Sequence, residues 1–257
     1  MKPSSRGILV QSVIFIAVLG SLWSLGFFDF SRVAKGASNL TIFVTDLFPP
    51  NFSVFDKVLL AILETLQMSF AGTMLGFAIA LPLGVLGAKN IFSSAIVAPI
   101  RLILAIVRTI PALLWALIFV VALGLGPLPG TLGLVAYTVG YLGKLYYEAL
   151  EAVDPEVIEA VKASGVSKVQ LVRHAVIPES ANQILSQLLF MFEYNVRSSS
   201  ILGFVGAGGV GFYMLGYIQT LQYRELLAVI IMTLVVVLII DYTSSRIRSR
   251  FLLARGK

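Results

Sequence analysis
The chain has no cysteine among its 257 residues. This excludes a disulfide framework, thiolate chemistry and a cysteine-held metal, and it leaves the redox compartment undetermined. Histidine occurs once, as His174, so neither a multi-histidine metal site nor a histidine proton relay is available. His174 sits in a polar stretch and reads as a surface residue. No G-x-x-x-x-G-K-[ST] run occurs, which excludes a P-loop ATPase within this chain. Charged residues make up only 12% of the chain, and the apolar runs hold no recurrent set of acid, base and nucleophile. The sequence therefore offers no catalytic residues and no metal site.

What the chain has is apolar length. Hydrophobic residues reach 58% and the mean hydropathy is +0.94, which places it among polytopic membrane proteins. Residues 8–28 form a run long enough to cross a bilayer, which takes about 20 residues. It reads as a retained first span. A signal peptide is the rival reading, opposed by the length of the run and the lack of a small-residue cleavage site. Residues 29–55 are mixed and broken by Pro49-Pro50. Residues 54–64 predict a short amphipathic interfacial helix, and residues 65–88 a second span. In that span Gly72, Gly76, Ala80, Gly84 and Ala88 recur at every fourth position, a face that allows close helix approach. Pro82 lies within it and predicts a kink.

Residues 93–108 read as a helix partly on the cytoplasmic surface, with Arg101 and Arg108. Thr109-Ile110-Pro111 starts a third span that runs to about Leu123, followed by 124–130 as a tight turn and 131–147 as a fourth span with Lys144 near its end. Residues 179–202 form the fifth and most polar span, with Glu193, Asn195, Arg197, Ser198, Ser199 and Ser200. Residues 203–224 read as a loop and 225–245 as a sixth span, followed by the basic tail 246–257. The sequence thus predicts an all-α polytopic protein of about six transmembrane helices. It is a single domain over 1–257, divided into 1–53 (first span and external linker), a core at 54–245 and the tail.

The longest charged segment runs from Glu148 to Pro178, between the fourth and fifth spans. Asp154 before Pro155 reads as an N-cap and first helical residue. Gly165 supplies the stop, Ser167-x-x-Gln170 opens a second short helix with a capping box, and Pro178 closes the segment. With both termini inside, Arg32, Lys35, Lys57 and Arg224 are the external cations and Arg197 lies in a span. The remaining fourteen of the 19 Lys and Arg fall on the cytoplasmic side, as positive-inside orientation requires. The net charge of +6 and pI of about 9.6 are thus topogenic and face lipid headgroups, so no nucleic-acid partner is expected.

Within this segment, Glu159-Ala160-Val161, three residues, Gly165, and later Ala175-Val176-Ile177-Pro178 resemble the EAA loop of ABC-importer permeases. Val161, Ala175 and Ile177 depart from that pattern but stay apolar. The resemblance implies a coupling helix between spans four and five. In it Glu159, Ala160, Val161, Gly165, Ile177 and Pro178 would meet a separate ATPase subunit.

A second set of motifs narrows the likeness. Arg108-Thr109-Ile110-Pro111, Gly143-Lys144-Leu145-Tyr146-Tyr147, Asn195-Val196-Arg197-Ser198 and Gly203-Phe204-Val205-Gly206-Ala207-Gly208-Gly209-Val210-Gly211 are similar to the phosphonate-importer permease family. The glycine run satisfies G-x-G-x-x-G literally, but it lacks the strand and crossover helix of a dinucleotide site, and its glycines read instead as a re-entrant or tightly turned segment within the loop. The resemblance implies a homodimeric permease of the bacterial inner membrane. Its partners would be two ATP-binding subunits, which hold ATP and magnesium, an external substrate-binding protein and the lipid bilayer; this chain itself needs no cofactor. The imported solute would be a phosphonate or a related phosphorus oxyanion such as phosphate or phosphite. A methionine-type or other small-solute importer is the nearest rival, and an intramembrane enzyme a more distant one.

Glu193 and Arg197 stand four apart, acid first, the favoured order for a helical ion pair. Two readings stay open for them: a structural pair that fixes the fifth span, or a positive group at Arg197 that lines an anion path, with Glu193 moderating it and Ser198, Ser199 and Ser200 adding neutral donors.

Overall fold
The structure, a computed structural model, describes residues 5–253, in which all regular structure is helical. Lys2, Arg255 and Lys257, counted among the topogenic charges, and the basic start at Met1 lie outside the described residues. Two compact units divide the chain, residues 1–49 and 50–257.

The first unit holds α1 (Ser5–Ser24) and α2 (Phe30–Leu47). Gly26, at φ +73°, turns the chain between them. Asp29 caps α2, accepting from the Arg32 amide at 3.0 Å and the Ser31 hydroxyl at 2.8 Å. The Arg32 amide, then the Ser31 hydroxyl, hold the Asp29 carboxyl below its ordinary range. The stretch expected to be mixed is therefore a regular helix before Pro49-Pro50.

The second unit is a bundle. Its α3 (Phe55–Leu86) merges the expected interfacial helix and second span into one helix that continues through Pro82. The small residues of α3 meet α6 (Pro127–Glu151). A Cβ on Gly72 would lie 2.7 Å from Leu134, one on Gly76 2.5 Å from Thr138, and one on Gly84 2.7 Å from Tyr146. Close approach of α3 and α6 is thus the reason this face carries no larger side chains. Around them a core of Ala80, Leu142, Tyr146, Leu150 and Met191 is closed to solvent.

Between these two helices lie α4 (Ser94–Thr109) and α5 (Ala112–Leu123), bent by 85° at Ile110-Pro111. Proline disfavours helix at the residue before it, and here Ile110 is extended at φ −86°, ψ 118°. The break falls at the residues that the sequence reading sets between the 93–108 stretch and the next apolar run.

After α6 come α7 (Pro155–Ala163), α8 (Lys168–Leu171), α9 (Ile177–Leu202), α10 (Val210–Gln219) and α11 (Tyr223–Leu253). Two expectations are corrected here. The stretch 203–224 is not a plain loop but carries α10. The last helix does not stop near Ser245; it runs on to Leu253. Among the described residues two helical stretches, 52–86 and 223–250, are long and apolar enough to cross a membrane. Four are, if each bent pair is one span: α4 with α5, and 168–205 with α10 at 46°.

Candidate functional site
The polar segment folds as its local signals require. The Asp154 carboxylate accepts from the Glu156 amide at 2.9 Å, with Pro155 at the first position of α7. Gly165 takes φ +73°, a left-handed value that a side chain resists. The Ser167 capping box is complete: Gln170 accepts from the Ser167 amide at 2.8 Å, and the Ser167 hydroxyl accepts from the Gln170 amide at 3.4 Å. Ile158 is the buried contact of α7, while Glu159 and Ala160 are exposed and Val161 is half-buried. A cleft of about 210 Å³ opens beside them, lined by Asn90, Glu151, Val153, Pro155, Ile158, Glu159 and Lys162.

One expectation at the end of the segment is corrected. Pro178 does not close it. Residues 172–176 form a wider, π-helical turn that carries α8 straight into α9, with Ile177 donating back to the Val172 carbonyl and Pro178 in the first turn. Proline has no amide to give its i−4 carbonyl, and a locally widened turn relieves that conflict without stopping the helix. Ile177 and Pro178 thus belong to the start of α9, not to the tip that holds Glu159 and Gly165.

The platform under α7 was not legible in the sequence. Arg101 of α4 forms an ion pair with Glu151, donates to the Gly87 carbonyl at 2.8 Å, and stacks 4.0 Å from the Tyr147 ring. Glu151 also accepts from the Lys89 amide at 2.6 Å, and Asn90 donates to the Leu150 carbonyl at 2.9 Å. These bonds clamp the loop after α3 and helix α4 to the last turn of α6, where α7 begins.

On α9 the expected Glu193–Arg197 pair does not form. Arg197 grips both carboxylate oxygens of Asp241 on α11, at 2.7 and 2.8 Å. Glu193, nearly closed to solvent, pairs instead with Arg248 at 3.0 Å. The competing principle is tertiary: α11 runs antiparallel beside α9 and offers each charge a partner from outside its own helix, with one guanidinium nitrogen of Arg197 shared between the two oxygens of Asp241. The three serines do not share a side either, because consecutive helical residues turn by about 100°. Ser199 is buried against Ser69 of α3 at 2.8 Å, Ser200 donates to the Val196 carbonyl of its own helix at 3.2 Å, and Ser198 is half-buried.

The sequence places Asn195 among the polar residues of this stretch without its partners, and it assigns Asp241 no role. Asn195 is fully buried and donates to Thr73 of α3 and Thr138 of α6, both at 2.9 Å, which pins three helices together. Asp241 had a usable signal: an acid within a Val- and Ile-rich span demands a partner. Arg248 had none, since it entered the site only because α11 overran its expected end.

The glycine run also finds its role. Gly206, Gly208 and Gly209 all take positive φ. The Gly209 amide donates to the Glu64 carboxylate at 3.0 Å, and the Val210 amide to the Thr65 hydroxyl at 2.8 Å. Side chains of α3 thereby cap the start of α10 and fill the helix terminus that an anion could otherwise occupy.

Residues 72–251 match the family described as "Binding-protein-dependent transport system inner membrane component". The chain is 34% identical over 241 residues to the phosphite transport system permease protein PtxC of Stutzerimonas stutzeri, covering 93% of this chain and 88% of that protein. It is 37% identical over 246 residues to the phosphate-import permease protein PhnE of Mycolicibacterium smegmatis, covering 95% of this chain and 45% of that longer protein. A chain from inward-facing structures of the MetNI methionine ABC transporter superposes with a TM-score of 0.66 at 25% identity, covering 76% of this chain and 95% of that one.

Proposed function
This chain belongs to the family of binding-protein-dependent transport system inner membrane components, and on that premise we propose that it imports a phosphorus oxyanion as the membrane permease of an ABC transporter. The observation that carries the solute class is the identity to a phosphite permease along nearly the whole of both chains. The relatives include permeases named for phosphite and phosphate, so the class is a tetrahedral phosphorus oxyanion. In this reading the chain crosses the inner membrane six times with its termini in the cytoplasm. It works as a homodimer with two ATP-binding subunits and an external binding protein, and ATP and magnesium belong to the ATP-binding subunits.

Energy enters at α7. The exposed Glu159 and Ala160, Val161 at their side and the left-handed Gly165 form a tip raised on the Arg101–Glu151 clamp, a shape suited to docking into a partner's groove. Ile177 and Pro178 carry the movement into α9 through the widened turn. Arg197, still half-exposed beside Asp241, and Ser198 lie toward the solute's route. Glu193, Ser199 and Ser200 support that stretch of α9 from behind.

The test is uptake by vesicles holding this permease with its cognate ATPase and binding protein, offered phosphite, phosphate, methylphosphonate and methionine in turn. ATP-dependent uptake of one of the phosphorus anions and none of methionine is expected. Uptake of methionine alone would remove the proposal in favour of the methionine-type reading.

A further inference from the structure
Glu193 and Arg197 of α9 each pair with a residue of α11, so an anion's route needs more than Arg197 to line it. On α6, Tyr137, Tyr141 and Lys144 follow at i, i+4 and i+7, one side of the helix. On α9, Gln187, Tyr194 and Ser198 follow at i, i+7 and i+11, again one side. The two rows meet in a stack. The Tyr137 ring lies 5.3 Å from Tyr194 and 5.9 Å from Tyr141, with planes within 19° and 21° of parallel.

All six residues are half-buried, whereas their neighbours Thr138 and Asn195 are closed off in the core. The Gln187 side-chain oxygen is buried with no hydrogen-bond partner; as an acceptor it offers an anion nothing, and only the NH2 of that amide can donate to one. At about 1.5 Å per residue, Tyr137 lies roughly 15 Å from the start of α6 and Tyr194 roughly 12 Å from the end of α9. Phenol and amide groups at such depth are costly against lipid tails and belong against protein or water. Toward the cytoplasmic end the row finishes at Lys144, which pairs with Glu148 at 3.2 Å.

We infer that this stripe is a transit site for a tetrahedral phosphorus oxyanion, held by the hydroxyls of Tyr137, Tyr141, Tyr194 and Ser198 and the amide of Gln187. The inference rests on the importer reading above and names the residues that would carry the solute. Neutral donors suit the task. They hydrogen-bond an oxyanion strongly, since one partner is charged, but add no fixed counter-charge that would trap it. The stacked rings hold their hydroxyls in a row, so an anion leaving one donor meets the next. Lys144, already half-neutralised by Glu148, draws the anion inward without binding it tightly.

The test uses the full transporter, with ATPase and binding protein, in vesicles. Tyr137→Phe and Tyr194→Phe keep the ring and its stack and remove only the hydroxyl. Each is expected to lower kcat/KM for phosphite uptake about tenfold, the loss of one hydrogen bond to a charged group, with the melting temperature unchanged. Because the chain has no cysteine, Tyr141→Cys and Gln187→Cys report directly on what faces the stripe. A charged, water-soluble thiol reagent should modify both, and phosphite with the binding protein should slow the modification.

Uptake unaltered by both Phe variants overturns the inference. So does modification by lipid-soluble reagents alone, which makes the stripe lipid-facing. Disulfide formation between two copies of Gln187→Cys, with the charged reagent shut out, overturns it in favour of a dimer seam. If the wild-type complex carries no phosphorus anion but both cysteines are modified from water, the stripe is a path and the solute class is wrong, so the two failures are told apart.

Discussion
The guanidinium of Arg197 on α9 holds both carboxylate oxygens of Asp241 on α11, at 2.7 and 2.8 Å. Both contacts come from one guanidinium nitrogen, and this charge-assisted pair ties α9 to α11 at that level. The pair is still half-open, with side-chain exposures of 48% and 37%.

That relationship separates structure from transport. Asp241→Asn leaves the half-exposed Arg197 without its carboxylate partner and should lower the melting temperature in detergent. Combining it with Arg197→Gln should restore the melting temperature. Uptake by the double variant should stay well below wild type. Full uptake there would make Arg197 a structural partner only.

Glu193 and Arg248 predict a different balance. Glu193 is nearly closed to solvent, with a side-chain exposure of 7%, so Arg248→Gln strands a buried carboxylate. Losing one partner of a buried pair costs about 3–5 kcal/mol. Glu193→Gln in the same chain should recover most of the loss, and thermal unfolding of the purified permease measures both. Equal melting of wild type and Arg248→Gln would show that the pair holds nothing.

At the tip proposed for coupling, Gly165 sits at φ +73°, and a Cβ added to it would meet nothing within 4 Å, so space is not the constraint and backbone conformation is. A left-handed conformation costs an ordinary L residue roughly 1–2 kcal/mol. Gly165→Val should therefore shift the turn and depress solute-stimulated ATP hydrolysis, while Gly165→Asn, which tolerates the conformation, should retain most of it. Glu159→Ala should also depress stimulation without changing the melting temperature. Normal stimulated hydrolysis in purified Gly165→Val and Glu159→Ala complexes would separate this tip from coupling.

The α3–α6 contact is steric. A Cβ on Gly76 would stand 2.5 Å from the Thr138 side chain, and Thr138 receives a hydrogen bond from Asn195. Gly76→Val should push the helices apart, break that bond and lower stability by about 1–3 kcal/mol or more, the usual cost of overpacking. The measurement is unfolding of the detergent-solubilised permease, and an unchanged midpoint would contradict the contact.

Topology has its own test. Lys162 of α7 is exposed, and in this cysteine-free chain Lys162→Cys should be labelled by an impermeant thiol reagent only when the cytoplasmic side is open. Labelling of intact cells from outside would invert the orientation.

Much of this protein is local in origin and was legible from sequence. The Asp154 cap, the left-handed Gly165, the Ser167–Gln170 capping box and the bend before Pro111 each depend on residues within one turn of each other. Side-chain chemistry and backbone sterics therefore specified them without the rest of the chain. The small-residue face of α3 was also written in its four-residue period, although which helix it would meet was not.

Tertiary structure decided the rest. Glu193 and Arg197 had the right spacing to pair with each other, yet a helix from a distant part of the chain offered each a better partner. Pro178 had the local chemistry of a stop, but a widened turn absorbed the missing amide while packing carried the helix onward. The alignment of Tyr137, Tyr141 and Tyr194 joins residues of two helices, and Asn195 found its partners on two others. Such contacts depend on how helices are turned and stacked, which only the balance of the whole packed bundle sets.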